Sequence, residues 1–253
     1  MKIIACCKAV PEEQDIIVLS NQELSFDKAK WKIGEYDLNA LEAGKQIVAT
    51  VGGTMTGLSV GGAVLKNSKL RKDILSRGPS DLTVVIDENN EISDSFEAAK
   101  ALSVAIGQMG EYDLVICGTG SSDLYAQQVG NQLGALLDVA VVNSVSKITP
   151  EEGKITVERT LENEVEVLEI VLPAVISVTA DVNLPTIPGM KDIIGAGKKK
   201  VTEMTIDWSD IAKSTEKVSD LAPLQKDRKM EILEGDSDEV IDALAQFLKK
   251  QIK

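Results

Sequence analysis

The sequence predicts an α/β protein: a parallel sheet with helices on both faces, extended by a β-hairpin and by a C-terminal arm that ends in a helix. Three observations carry this. From Lys2 to Val142, short apolar runs alternate with stretches of helical period, the pattern of strands joined by right-handed crossovers. Tyr112-Asp113-Leu114-Val115-Ile116-Cys117 is apolar almost throughout, as a strand covered on both faces must be. Between Lys154 and Leu172 the period becomes two, with acidic residues on one side of a turn at Glu162-Asn163, so a hairpin with one wet face follows the sheet.

In chain order, Ile3 to Cys7 opens the first strand, and Lys8-Ala9-Val10 leads to Pro11, which ends its ladder. Residues 12–35 hold no period and read as a long excursion with a small hairpin around Asn21. Such loops are commonly functional. Tyr36-Asp37-Leu38-Asn39-Ala40-Leu41-Glu42-Ala43 starts a helix to about Ala49, with Asp37 in its first turn facing the positive end of the dipole. Thr54 to Gly61 is a strand and Ala63 to Leu75 a helix. Gly78-Pro79 breaks the chain before a third strand at Leu82 to Ile86. Ser93 to Met109 is helical, with Phe96, Ala99, Leu102, Ser103 and Ile106 turned inward. After the central strand, Gly118 and Gly120 make a turn. Val129, Leu133, Leu136 and Leu137 then line one face of the next helix, and Ala140-Val141-Val142 is a fifth strand.

Ala174 to Thr179 is a further buried strand. Asp181 to Lys200 carries two prolines and three glycines, with Leu184 and Ile187 outward-looking. A proline-stiffened loop loses little entropy on binding, so it suits a docking surface; an ordinary buried loop is the other reading. Val201 to Gly235 is polar and irregular, a tail rather than core. Asp236-Ser237-Asp238-Glu239 opens a last helix with Val240, Ile241, Leu244, Phe247, Leu248 and Ile252 on one stripe and Lys249, Lys250 and Lys253 at its end. That stripe must be buried against the chain itself or against another subunit. The expected division is residues 1–200 for the sheet domain, with its hairpin at 154–172, and 201–253 for the arm.

Composition narrows the chemistry. At 253 residues and 43% hydrophobic content the chain can bury a sizeable core. A net charge of −13 and a pI near 4.6 repel nucleic acid and anionic membranes. MKIIACCKAV is too short an apolar run for a signal peptide and no later run approaches a membrane span, so a cytoplasmic location is expected. The chain has no histidine, which removes the commonest general base and zinc ligand and points to chemistry borrowed from a cofactor. Cys6, Cys7 and Cys117 sit in expected buried strands without Cys-x-x-Cys spacing, so they read as small hydrophobes rather than as metal ligands or a disulfide framework.

The turn after Cys117 is the candidate site. Glycine allows close backbone approach, and the first amides of the following helix have no intrahelical partner, so the turn can hold phosphate oxygens. Its spacing is Gly-x-Gly-x-x-Asp, and Asp123 stands where a dinucleotide fingerprint needs its third glycine, which disfavours an NAD site. The same glycines serve equally as a tight strand-to-helix connection. Lys8, at the carboxyl edge of the sheet, is placed either to offset a ligand's charge or simply to be solvated.

Taken together, Lys8-Ala9-Val10-Pro11, Tyr36 through Ala43, Gly118 through Gly130, Leu172-Pro173-Ala174-Val175, Pro188-Gly189-Met190-Lys191 and Lys198-Lys199-Lys200 resemble the β subunit of electron transfer flavoproteins over nearly the full chain. The likeness is strongest to the FixA type. The resemblance implies a Rossmann-like domain of the adenine nucleotide alpha hydrolase-like kind. It also implies a heterodimer in which FAD, held mostly by the α subunit, passes electrons from an acyl-CoA-type dehydrogenase or another flavin or quinone partner. An AMP, or a second FAD in bifurcating members, would bind in this chain among Lys8, Ala9, Asp37, Val60, Gly118 and Asp123 and on Gln127, Gln128, Val129 and Gly130. Tyr36 would approach the flavin, Leu184 and Ile187 would dock a dehydrogenase, and the C-terminal arm would embrace α. No metal and no catalytic side chain of the chain's own are expected. The alternative is a stand-alone protein that binds or hydrolyses adenine nucleotides, with Asp123 and Lys8 acting on phosphate; a third reading is a structural partner without nucleotide.

Overall fold

The computed structural model describes all residues except 89–91, 93, 212–214, 217, 225–229 and 252–253. Ser93, Ile252 and Lys253, named above as helix residues, lie outside the described set. β1 (Lys2–Cys6) is followed by β2 (Ala9–Pro11), β3 (Ile17–Val18), β4 (Leu24–Ser25) and β5 (Trp31–Ile33). Then come α1 (Glu35–Val51), β6 (Thr54–Gly61), α2 (Ser68–Ser76), β7 (Asp81–Ile86), α3 (Ser95–Met109), β8 (Leu114–Gly118) and α4 (Val129–Leu137). The chain continues with β9 (Ala140–Glu151), β10 (Lys154–Thr160), β11 (Val165–Val171), β12 (Ala174–Val178), α5 (Met190–Ala196), β13 (Lys200–Met204) and α6 (Asp238–Gln251).

One nine-stranded sheet has the order β11-β10-β9-β12-β8-β1-β6-β7-β13. It is parallel from β9 to β13 and antiparallel where β9, β10 and β11 form the hairpin end. Alternation along the strands sends Ile3, Ala5 and Cys7 to one face, where they meet Leu41 and Ile47 of α1 and Ile74 of α2. Ile4 and Cys6 go to the other face, with Ala105 and Ile106 of α3 and Leu133 of α4. Each fully buried Leu or Ile contributes about 1.5–3 kcal/mol. The parallel sheet with helices on both faces is thus the fold that the periodicity predicts.

Several expectations need correction. Pro11 does not end the first strand. The chain breaks after Cys6, and β2, Pro11 included, turns away to pair antiparallel with β5, a two-stranded ribbon whose free side tolerates a missing amide donor. The excursion does hold a small hairpin, β3 with β4, and Asn21 lies in its turn. The helix expected over 63–75 is two pieces, a 3-10 turn at Ala63–Lys66 and then α2, because Asn67 accepts the Lys69 and Leu70 amides as an N-cap and restarts the helix. Phe96 does not face the core: it is 43% exposed, and Glu97 is buried in its place in the first turn. The fifth strand runs to Glu151 rather than ending at Val142. Ser144, at φ 56°, lies between the part of β9 that joins the sheet core and the part that carries the hairpin. The segment 181–200 contains α5. The region after it is not tail from its start: β13 pairs with β7, Ile206 is buried, and Trp208 packs on the α3 side. The sheet therefore runs past residue 200, where the sequence suggested that the domain ends.

Candidate functional site

β1, β6 and β8 are adjacent and parallel, so the residues just past them share one edge of the sheet, where open α/β folds hold ligands. Lys8 and Ala9 follow β1, Val60 nearly ends β6, and Gly118 ends β8. The first turn of α1 brings Tyr36 and Asp37 to the same edge. Asp37 is buried, and its Oδ2 accepts the Lys8 amide at 2.7 Å. A Cβ added to Gly118 would stand 2.7 Å from Asp37 Oδ1 and 2.8 Å from Tyr36 Cβ; one added to Gly34 would stand 2.8 Å from Asp37 Oδ2. The carboxylate is therefore wedged between the start of α1 and the ends of β1 and β8, and both neighbours must be glycine. Burial raises the Asp37 carboxyl to about 7, against the amides of Lys8 and Gly118 and the Lys8 charge, which pull it down.

From Thr119 to Gln128 the chain is an irregular, mostly exposed loop. Lys8 Nζ donates to both oxygens of Asp123, at 2.8 and 2.7 Å, and the Leu124 amide donates to Oδ1 at 2.8 Å. Partial burial pushes the Asp123 carboxyl up, but hydrogen bonds from Lys8 and Ser121 outweigh it and hold it below the usual carboxylate range. Tyr125 and Gln127 sit at φ 46° and 57°, conformations that cost side-chain-bearing residues about 1–3 kcal/mol each. The Tyr125 ring rests on Tyr36, with centroids 5.3 Å apart and planes inclined at 31°. A Cβ on Gly120 would come within 2.7 Å of the Tyr125 ring, so this glycine makes room for the aromatic pair.

α4 starts at Val129 with no side-chain cap from Gln128, so its first amides depend on an acceptor from outside the helix. Gly130 lets that start lie on β12, since a Cβ there would be 3.2 Å from Ser177 Cβ. Gln132 Oε1, one turn in, is buried with no hydrogen-bond partner among the described residues. An uncapped helix start and, one turn in, an unpartnered acceptor suit a ligand that brings both an anion and a donor.

Of the residues singled out from sequence, Lys8, Asp37, Gly118 and Asp123 come together with Tyr36. Ala9 and Val60 lie at the same edge without a polar side chain to offer, and Gln127, Gln128, Val129 and Gly130 form the loop end and helix start. Leu184 and Ile187 are 89% and 88% exposed. The segment that carries them is strapped to α1. Asn39 Nδ2 donates to the Asn183 carbonyl at 2.9 Å, and Asn183 returns a bond to the Asn39 carbonyl at 3.0 Å. Glu42 accepts the Thr186 hydroxyl at 3.0 Å and its amide at 3.3 Å. Burial acts to raise the Glu42 carboxyl, but the Thr186 bonds, Lys45 and Gln46 hold it below its ordinary value. Tyr125, Gln132, Asn39 and Glu42 escaped the sequence reading as site residues. For Tyr125 a signal existed, since two of the three tyrosines flank the turn; for Gln132 there was none.

Comparison with known families matches the electron transfer flavoprotein domain to residues 24–208. The matched span runs from β4 through α1, the β8 turn, the Leu184 segment and β13, and leaves Lys8 and α6 outside it. With most of its length in that match and a parallel α/β sheet carrying the turn, this chain belongs to the electron transfer flavoprotein domain family.

Proposed function

We propose that the chain is the β subunit of a heterodimeric electron transfer flavoprotein of the FixA kind. In this reading it holds an adenine nucleotide, AMP or a second FAD, at the turn from Gly118 to Gly130 and shares the redox FAD with an α subunit. The observation that carries the heterodimer is α6. Ile241, Leu244, Phe247 and Leu248 form an apolar stripe 46–55% exposed, and no described residue of the helix is buried. A helix of this length is marginal in water unless its apolar face is covered. In this reading an α subunit covers that face, and the match to the electron transfer flavoprotein domain supports it.

When bound, the flavin would supply reversible one- and two-electron transfer. This chain's own residues bind and orient. The α4 amides and Lys8 would face the nucleotide phosphate, Asp37 would fix the strand ends beneath it, and the Tyr36–Tyr125 pair would hold the loop. Leu184 and Ile187, raised on a segment anchored to α1, would dock the electron donor, an acyl-CoA-type dehydrogenase or another flavin or quinone protein. Among the described residues no helix is long and apolar enough to cross a membrane.

The test is to purify the chain with an α-type partner, denature the complex and count released FAD and AMP. One FAD with one AMP supports a plain carrier, and two FAD without AMP supports a bifurcating one. Absence of both a stable heterodimer and bound flavin would sink the proposal.

A further inference from the structure

Lysines that serve polyphosphate sites reach the β- and γ-phosphates with free ammonium donors. Lys8 is placed differently. Its Nζ is bidentate on Asp123, at 2.8 and 2.7 Å, with side chains 42% and 26% exposed. Asp123 belongs to the very loop that leads into the uncapped start of α4. The two charges cancel, so the turn presents amide dipoles rather than a net cation. Buried Asp37 accepts the Lys8 amide, and burial pushes its carboxyl up to about 7, and the chain as a whole carries −13. Each further phosphate charge therefore enters a field with no spare positive group from this pair.

We propose that Asp123, through its pairing with Lys8, is a charge gate that makes the turn favour AMP over ADP and ATP. The proposal rests on the nucleotide reading above and adds a specificity-determining residue to it. Removing the carboxylate frees Lys8 and raises the local charge by one; removing the ammonium bares the carboxylate and lowers it by one. Both changes break the same ion pair. A purely structural role for the pair therefore moves both variants in the same direction, whereas a gate moves them in opposite directions.

The experiment is calorimetric titration of the full chain with AMP, ADP and ATP, without magnesium, for the wild type, D123N, K8M and K8R. For one charge in a half-exposed site, the ratio of the ATP to the AMP dissociation constant should fall by about threefold to tenfold in D123N and rise by a similar factor in K8M. K8R, which keeps the charge, should keep the wild-type ratio. Nucleotide binding with the ratio unmoved in D123N, or moved the same way in D123N and K8M, overturns the gate and leaves the nucleotide site standing. No binding of any of the three nucleotides to the wild type or to D123N overturns the nucleotide reading and the gate with it.

Discussion

Asp37 shows how much one side chain can hold at a strand edge, and what it costs. Its ordinary value is 3.8 and burial lifts it to about 7, so between those limits the folded chain keeps a proton that the unfolded chain has released. Folding stability from this group is therefore fully present below pH 4, falls as the pH rises towards 7, and is flat beyond. Between pH 5 and pH 8 the loss should be about 2–3 kcal/mol. Urea unfolding of the wild type and D37N at those two pH values measures it: the wild type should lose more stability than the variant by that amount, and equal losses would contradict the assignment. The cysteines show burial acting in the same sense on a different acid. A contact with Cys117, followed by burial, raises Cys6, and burial raises Cys7, so these thiols pack and do not react.

The elements were legible wherever a period was long or a run was continuous. β8 and α4 follow from an apolar run and an i, i+4, i+7 stripe. β13 did not, because Lys200-Val201-Thr202-Glu203-Met204 is an edge strand with one partner, β7, and an edge strand need not read as an apolar run. The candidate site was legible at strand ends, where the apolar runs place Lys8 and Gly118, whereas Asp123, in the loop beyond β8, entered through the family resemblance. Tyr125 stands beside the turn in the sequence, but its contact with Tyr36 was not legible, since its backbone takes a positive φ that the packed loop sets and local sequence does not. The strap between α1 and the Leu184 segment is likewise a meeting of residues some 144 positions apart. E42A should remove the two Thr186 hydrogen bonds of the strap, along with those from Lys45 and Gln46, and destabilise the chain by about 1–3 kcal/mol. Hydrogen exchange should show faster exchange at residues 183–189 and little change in β1 or β8; uniform change across the sheet would mean that the strap is not local.

For the molecule as a whole, α6 and the core should behave as separable parts. The described arm touches the body at its start, through Trp208 and Ile211 on the α3 side, and again where the Ala222 amide donates to Gln22 at 2.8 Å. α6 buries nothing. Deleting residues 236–253 should change the unfolding free energy of the isolated chain by about 0.5 kcal/mol or less, while abolishing stable association with an α-type subunit. Urea unfolding and size-exclusion chromatography read the two effects, and a large loss of stability in the isolated chain would mean that the stripe is covered by its own core.

α1 has a consequence at this scale. Asp37, which grips the ends of β1 and β8, and Asn39 and Glu42, which grip the exposed segment at 183–186, lie within two turns of one helix, Asn39 about 3 Å and Glu42 about 7–8 Å from Asp37 along its axis. A rod that short does not bend. A visitor that takes hold of Leu184 thus has a handle on the floor beneath the Gly118 turn, and any tilt it imposes arrives there as a whole-body rotation of the helix rather than through a relay of small side-chain moves.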